Sequence, residues 1–118
     1  MTDNVYWMLV VKVNDGKLDE FKALAEEMNA ATELEPGALA YEWHLDEAGS
    51  TCHIYERYAD SAATLVHLGN FGANFAERFM ALVTPESITV YGSPDEQVRG
   101  ALAPMGAVLM TQFAGFAR

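Results

Sequence analysis

A chain of 118 residues, 51% of them apolar, has the length and apolar content for one packed domain, with no apolar run long enough to span a bilayer. Its formal charge of −10 repels phosphate backbones and anionic headgroups, so neither nucleic acid nor membrane is expected as a partner. Cys52 stands alone, which excludes an internal disulfide and a cysteine-based zinc site; with an N-terminus, Met1-Thr2-Asp3-Asn4, that lacks secretory-signal features, a cytoplasmic address is expected.

From Val5 to Val13, the residues Val5, Trp7, Leu9, Val11 and Val13 alternate with Tyr6, Met8, Val10 and Lys12. The pattern predicts a strand largely covered on both faces. Asn14-Asp15-Gly16 turns the chain. From Lys17, apolar residues at Leu18, Phe21, Leu24, Ala25 and Met28 have the spacing of an amphipathic helix that ends before Pro36-Gly37. Leu39, Tyr41, Trp43 and Leu45 alternate with polar or small residues, and a second run from Thr51 to Tyr58 follows Glu47-Ala48-Gly49-Ser50, which predicts a β-hairpin. Asp60 or Ser61 can cap a second helix running to about Val83, and Glu86 to Ser93 supplies a fourth strand. Ser93-Pro94-Asp95-Glu96 opens a short helix that Pro104 ends, leaving an extended run from Ala107 to Phe113. That run can pair with an open sheet edge, its own or a partner's.

Two βαβ halves joined by a hairpin predict an α+β, ferredoxin-like βαββαβ domain: a four-stranded antiparallel sheet with both helices on one face, plus the C-terminal helix and extra strand. One domain over 1–118 is expected, with a core at about 5–92 and an extension at 93–118. The sheet's other face, carrying Trp7 or Met8 and Tyr91, needs an apolar cover, so a homodimer is expected.

With the hairpin loop centred between Ala48 and Gly49, Leu45 faces Cys52, Trp43 faces Ile54, and Tyr41 faces Glu56. Glu56 then stands on an apolar face. It either serves as a desolvated general acid or base, or only holds the sheet through a hydrogen bond to a tyrosine or backbone amide. The opposite face sets His44 across from His53 with Asp46 nearby, a candidate metal set that surface hairpins also carry without a ligand; no metal is expected. Glu42 faces Tyr55 with Arg57 diagonal to it, a surface or dimer ion pair. In the second helix Leu68, Phe75, Phe79 and Leu82 form the core stripe, and a regular helix puts His67 with Phe71, Asn74 and Arg78 about a third of a turn away. Gly69 and Gly72 can bend that helix, so His67 is either a solvated or capping residue or a pocket histidine.

No Gly-rich phosphate loop, nucleophile elbow or paired-cysteine pattern occurs. Abundant aromatic and Met residues predict an apolar pocket suited to a planar organic ligand.

The stretch Pro36-Gly37-Ala38-Leu39-Ala40-Tyr41-Glu42-Trp43, then Ile54-Tyr55-Glu56-Arg57-Tyr58-Ala59-Asp60-Ser61-Ala62-Ala63 and His67-Leu68, resembles the antibiotic biosynthesis monooxygenase domain family over about residues 5 to 92. The resemblance implies a dimeric α+β barrel and oxygenation of a quinol or anthrone-like phenol by molecular oxygen, without metal, flavin or other cofactor. It implies His67 or Glu56 as the base, Tyr41 and Trp43 as pocket walls, and Asn74 or Arg78 as oxyanion donors, with Phe71 also on the substrate side. Haem-degrading relatives of this fold carry a tryptophan near the position of His67 and a histidine near that of Glu77. This chain has neither, so haem breakdown is not expected. The competing expectation is a non-catalytic dimer that binds a small aromatic molecule or serves as an interaction domain.

Overall fold

A computed structural model describes residues 2–118. Strand β1 (Val5–Val13) lies at the centre of the sheet, pairing antiparallel with β3 (Thr51–Tyr58) on one side and with β4 (Val83–Gly92) on the other. Strand β2 (Ala38–Leu45) pairs with β3 in the register expected: Leu45 opposite Cys52, Trp43 opposite Ile54, Tyr41 opposite Glu56 and His44 opposite His53. Helix α1 (Leu18–Glu33) buries Phe21, Leu24 and Met28 against the face of the sheet that carries Val5, Trp7, Leu9 and Val11. Alternation along β1 aims these residues to one side, and Trp7 therefore belongs to the core.

The sheet is not the four-stranded antiparallel one expected. It has five strands in the order β2-β3-β1-β4-β5, because the two-residue β5 (Val108–Leu109) adds to the β4 edge in parallel, Val108 opposite Thr89. Between β4 and β5 runs helix α4 (Glu96–Leu102), followed by a 3-10 turn (Ala103–Met105). A helical crossover returns the chain to the end of the sheet from which it left, so a strand added beside β4 runs parallel to it.

The single second helix expected is two. Helix α2 (Ser61–Asn74) stops at Phe75, whose backbone (φ −130°, ψ −24°) closes it and opens α3 (Ala76–Leu82). Gly69 and Gly72 stay helical and are not the break. This interruption resets the helical phase. Phe79 and Leu82 on α3 remain core residues, but α2 turns inward the face that bears Thr64 and His67. Strand β4 begins at Val83, earlier than Glu86, and absorbs the extra length in a register shift opposite Val10 and Val11. On the outer face of the sheet, Tyr6 stacks on Tyr91 (5.4 Å) with the Arg57 guanidinium 4.3 Å from the Tyr6 ring, and tail residues Gln112, Gly115, Phe116 and Ala117 share a shallow cleft with Tyr6 and Arg57.

Candidate functional site

Local chemistry at two chain segments brings the site together. Asp60 caps α2 by accepting a hydrogen bond from the Ala63 amide (2.8 Å), and the Thr64 hydroxyl donates to the Asp60 carbonyl (2.9 Å), which fixes the first turn. His67 follows Thr64 by three residues, so both lie on the buried face. At the start of β2, Gly37 accepts a hydrogen bond from the Ala59 amide (2.9 Å), and a Cβ added there would collide with that of Ala63. The missing side chain lets α2 lie directly against the end of α1 and the start of β2. His67 therefore reaches Glu35.

Its imidazole is held between two carboxylates. Nδ1 stands 3.1 and 3.3 Å from the two oxygens of Glu35, and Nε2 stands 3.2 Å from Glu56 Oε1. All three side chains are at most 9% exposed. An ionised carboxylate only accepts, so with both carboxylates ionised the two ring nitrogens would each donate, and the site favours the protonated ring. Burial by itself pulls the imidazole toward neutrality; the hydrogen bond and charge of Glu56, joined by those of Glu35, outweigh it and hold the His67 pKa above its ordinary value. The Tyr58 hydroxyl donates to the same Glu56 Oε1 (2.7 Å), and Asn70 donates to Glu35 (3.4 Å). Burial first, then the charge of Glu56, pushes the phenols of Tyr41 and Tyr58 far above the usual tyrosine range, so both stay neutral. The Tyr58 ring lies 4.8 Å from the imidazole centroid and the Tyr41 ring 5.4 Å, edge-on.

His67 and Glu56 border a cavity of about 90 Å³ between the helices and the sheet. That is several times the ~10–15 Å³ that one water needs. The remaining wall is hydrocarbon and aromatic, including Trp7, Tyr41, Phe71 and Phe79. Since Tyr58 donates to Oε1 of Glu56 and His67 Nε2 stands 3.2 Å from that same oxygen, Oε2 is the oxygen left to meet a ligand. The arrangement sets a carboxyl group beside an imidazole at the edge of an apolar pocket, where charge interactions are strong.

The residues expected at the site divide clearly. His67 is buried and not solvated, contrary to the flank position that a continuous helix implied, because the break at Phe75 changes which face of α2 is inside. Glu56 does bond a tyrosine, as the structural reading held, but it also meets His67 and the cavity. Tyr41 and Phe71 line the wall. Trp43 packs instead against Tyr41, Phe21 and Phe79. Asn74 and Arg78 are not among the residues that line the cavity: Asn74 bonds the Asn70 carbonyl (3.1 Å) and Arg78 pairs with Glu27 (3.1 Å), and both are exposed. Arg78 lies beyond the end of α2, so the spacing does not carry to it, whereas Asn74, the last residue of α2, keeps the spacing but is exposed at the helix end. Asp46 spends its carboxylate on the Ser50 and Thr51 amides of the hairpin turn, and among the described residues no group of three His, Cys, Asp or Glu converges as a metal site. Arg57 bonds Asn4 (2.7 Å) and not Glu42. Glu35 and Tyr58 were not expected at the site. Both stood within the quoted motifs or next to them, Glu35 directly before Pro36-Gly37 and Tyr58 two residues beyond Glu56.

The fold and site define a ferredoxin-like α+β domain with a buried acid–base pair at an apolar pocket. The chain belongs to the antibiotic biosynthesis monooxygenase family, whose match spans residues 5–82. Among solved structures it is similar to MupZ from Pseudomonas fluorescens, with 28% identity over 100% of this chain and 91% of that one (TM-score 0.89). SnoaB from Streptomyces nogalater, a cofactor-independent oxygenase, shares the fold at 19% identity over 80% of this chain and 96% of its own (TM-score 0.68). Rv0793 from Mycobacterium tuberculosis does so at 23% identity over 79% and 97% (TM-score 0.67). No curated protein matches the chain.

Proposed function

We propose that this protein is a cofactor-independent monooxygenase that oxidises a quinol or related aromatic phenol with molecular oxygen. The observation that carries the reading is the buried His67–Glu56 pair on the wall of an otherwise apolar cavity. Glu56 takes the proton of the phenol, and the His67 imidazolium stabilises the resulting oxyanion. The electron-rich anion passes one electron to oxygen, and the radical pair recombines at a carbon bearing hydrogen to give a peroxide. Loss of that carbon's proton breaks the O–O bond, leaving one oxygen atom as a carbonyl, and the other takes up two protons, the one held by Glu56 and the one lost from carbon, and leaves as water. The protein contributes the base, the cation and exclusion of water.

Because the pair holds a proton donor next to an acceptor, a second reading is a non-oxidative proton-transfer reaction on a ligand of the same shape. A panel of hydroquinones and dihydroxynaphthalenes, followed by oxygen electrode and product chromatography, separates the two. Oxygen uptake that falls about 10²–10⁴-fold in Glu56→Gln and His67→Gln supports the monooxygenase. Product without oxygen uptake selects the second reading, and binding without either selects a non-catalytic ligand carrier. Uptake unchanged in both variants rejects the site.

The working unit we propose is a homodimer. Phe113 (93% exposed), Phe116 (79%) and Met110 leave apolar surface on the tail, where Phe116 adjoins Tyr6 on the outer face of the sheet, that a second copy can cover. No described helix is long and apolar enough to cross a membrane. Sedimentation of wild type and of a Phe113→Ser, Phe116→Ser double variant checks the assembly; a monomeric wild type overturns it.

A further inference from the structure

The C-terminal extension lies beyond the residues matched by the family, yet it walls the cavity. Helix α4 is anchored by Val98 (0% exposed) and Leu102 (1%), and its start is tied to α2 by a hydrogen bond from the Asp95 amide to the Ser61 hydroxyl (2.9 Å). Asp95 caps it through the Val98 amide (2.9 Å), and Gly106, at φ +74°, stops the 3-10 turn just after Met105. Leu102 and Met105 both contribute to the cavity wall.

Exposure changes sharply around that wall. His67 and Glu56 are 4% and 5% exposed, whereas Met80 is 51% and Met105 47% exposed, and Pro85 is also exposed. Those last three come from α3, β4 and the extension. Among the residues that line the cavity these three are the exposed ones, whereas the polar pair is buried. Pro85 sits at the register shift of β4, where the strand bends, and β5 reaches only Thr89 and Val90, so that stretch of β4 stays unpaired on its outer side. Methionine side chains are unbranched and polarisable and adapt to a passing apolar surface.

We propose that Met80 and Met105 are the specificity-determining residues at the mouth of this cavity, and that the ligand enters polar end first with an elongated apolar body trailing between them. This rests on the cavity being the ligand site, and it narrows the ligand to a phenol or quinol bearing an apolar substituent on the side away from its reacting hydroxyl. The extension then sets how long that substituent can be while still buried.

The test is equilibrium binding of 4-alkylphenols, from methyl to heptyl, to the full chain, read by quenching of tryptophan fluorescence; Trp7 stands on the cavity wall. Affinity is expected to rise about fourfold per methylene, from ~0.8 kcal/mol per buried CH2, until the chain passes the mouth. Met105→Ala and Met80→Ala should weaken the longer members about five- to tenfold and leave 4-methylphenol within about twofold, since only the longer members reach the rim. Val66→Ala, exposed and outside the cavity, should change nothing. Circular dichroism confirms that each variant is folded. Equal effects on all chain lengths, or none, overturn the mouth. Failure of any phenol to bind the folded wild type overturns the ligand site itself, and the proposed function with it.

Discussion

Replacing Glu35 by Gln keeps the shape of the side chain at His67 Nδ1 and removes only its charge. Two unit charges about 4 Å apart attract by about 4 kcal/mol at an effective dielectric near 20. Part of that is returned because a buried carboxylate no longer has to be desolvated, and the amide oxygen still accepts the Nδ1 proton. A net loss of about 1.5–3 kcal/mol, typical of a hydrogen bond to a charged group, lowers the His67 pKa by about one to two units at 1.36 kcal/mol each. Imidazole nitrogen and carbon shifts followed by NMR from pH 5 to 10 measure this directly. The chain has three histidines, and exposed His44 and His53 provide signals from outside the cluster. In wild type His67 should titrate above the ordinary 6.5 and in the variant distinctly lower. A wild-type His67 that titrates below 6.5, or a variant that leaves it unmoved, refutes the imidazolium clamp.

The same cluster makes stability depend on pH. Since folding raises the His67 pKa, its stabilising contribution is complete below about 6.5 and is lost as pH rises through the folded value. Urea midpoints should therefore fall between pH 6 and pH 9, and a rise over that range would sink the assignment. Tyr58→Phe removes a charge-assisted bond from a fully buried hydroxyl and should cost about 1.5–3 kcal/mol in urea denaturation; a neutral result contradicts the network. Gly37→Ala drives a Cβ into Ala63 and should cost about 1–3 kcal/mol while reducing turnover, because α2 must shift and take His67 away from Glu35. Full activity with unchanged stability in that variant shows that the close approach is not needed.

Much of the architecture was legible because it depends on local pattern. Alternating residues in β1, β2 and β3 are enough to specify strands, and a short hairpin loop fixes cross-strand partners, so Glu56 opposite Tyr41 could be read before any coordinates. Asp60 caps its helix as the sequence offered, whereas the helix expected to open at Ser93 begins only after Asp95, which caps it. The phase of the second helix was not legible. A periodicity argument carries a single phase through an uninterrupted helix, whereas the chain breaks at Phe75 and not at the glycines, so Arg78 parts company with His67, while Asn74 ends α2 with its amide on the Asn70 carbonyl.

By itself, then, the sequence determined a βαββαβ chain with a carboxylate on the inner face of its hairpin, since strand alternation and turn chemistry act over a few residues. Only the tertiary structure decided what that carboxylate meets. Glu35 lies 32 residues from His67, and Glu56 is on another element; their convergence depends on α2 docking against Gly37, a contact with no local signature beyond the glycine. The closing of the cavity by Leu102 and Met105 is non-local in the same way, because it depends on an extension that crosses the β4 edge and packs against α2.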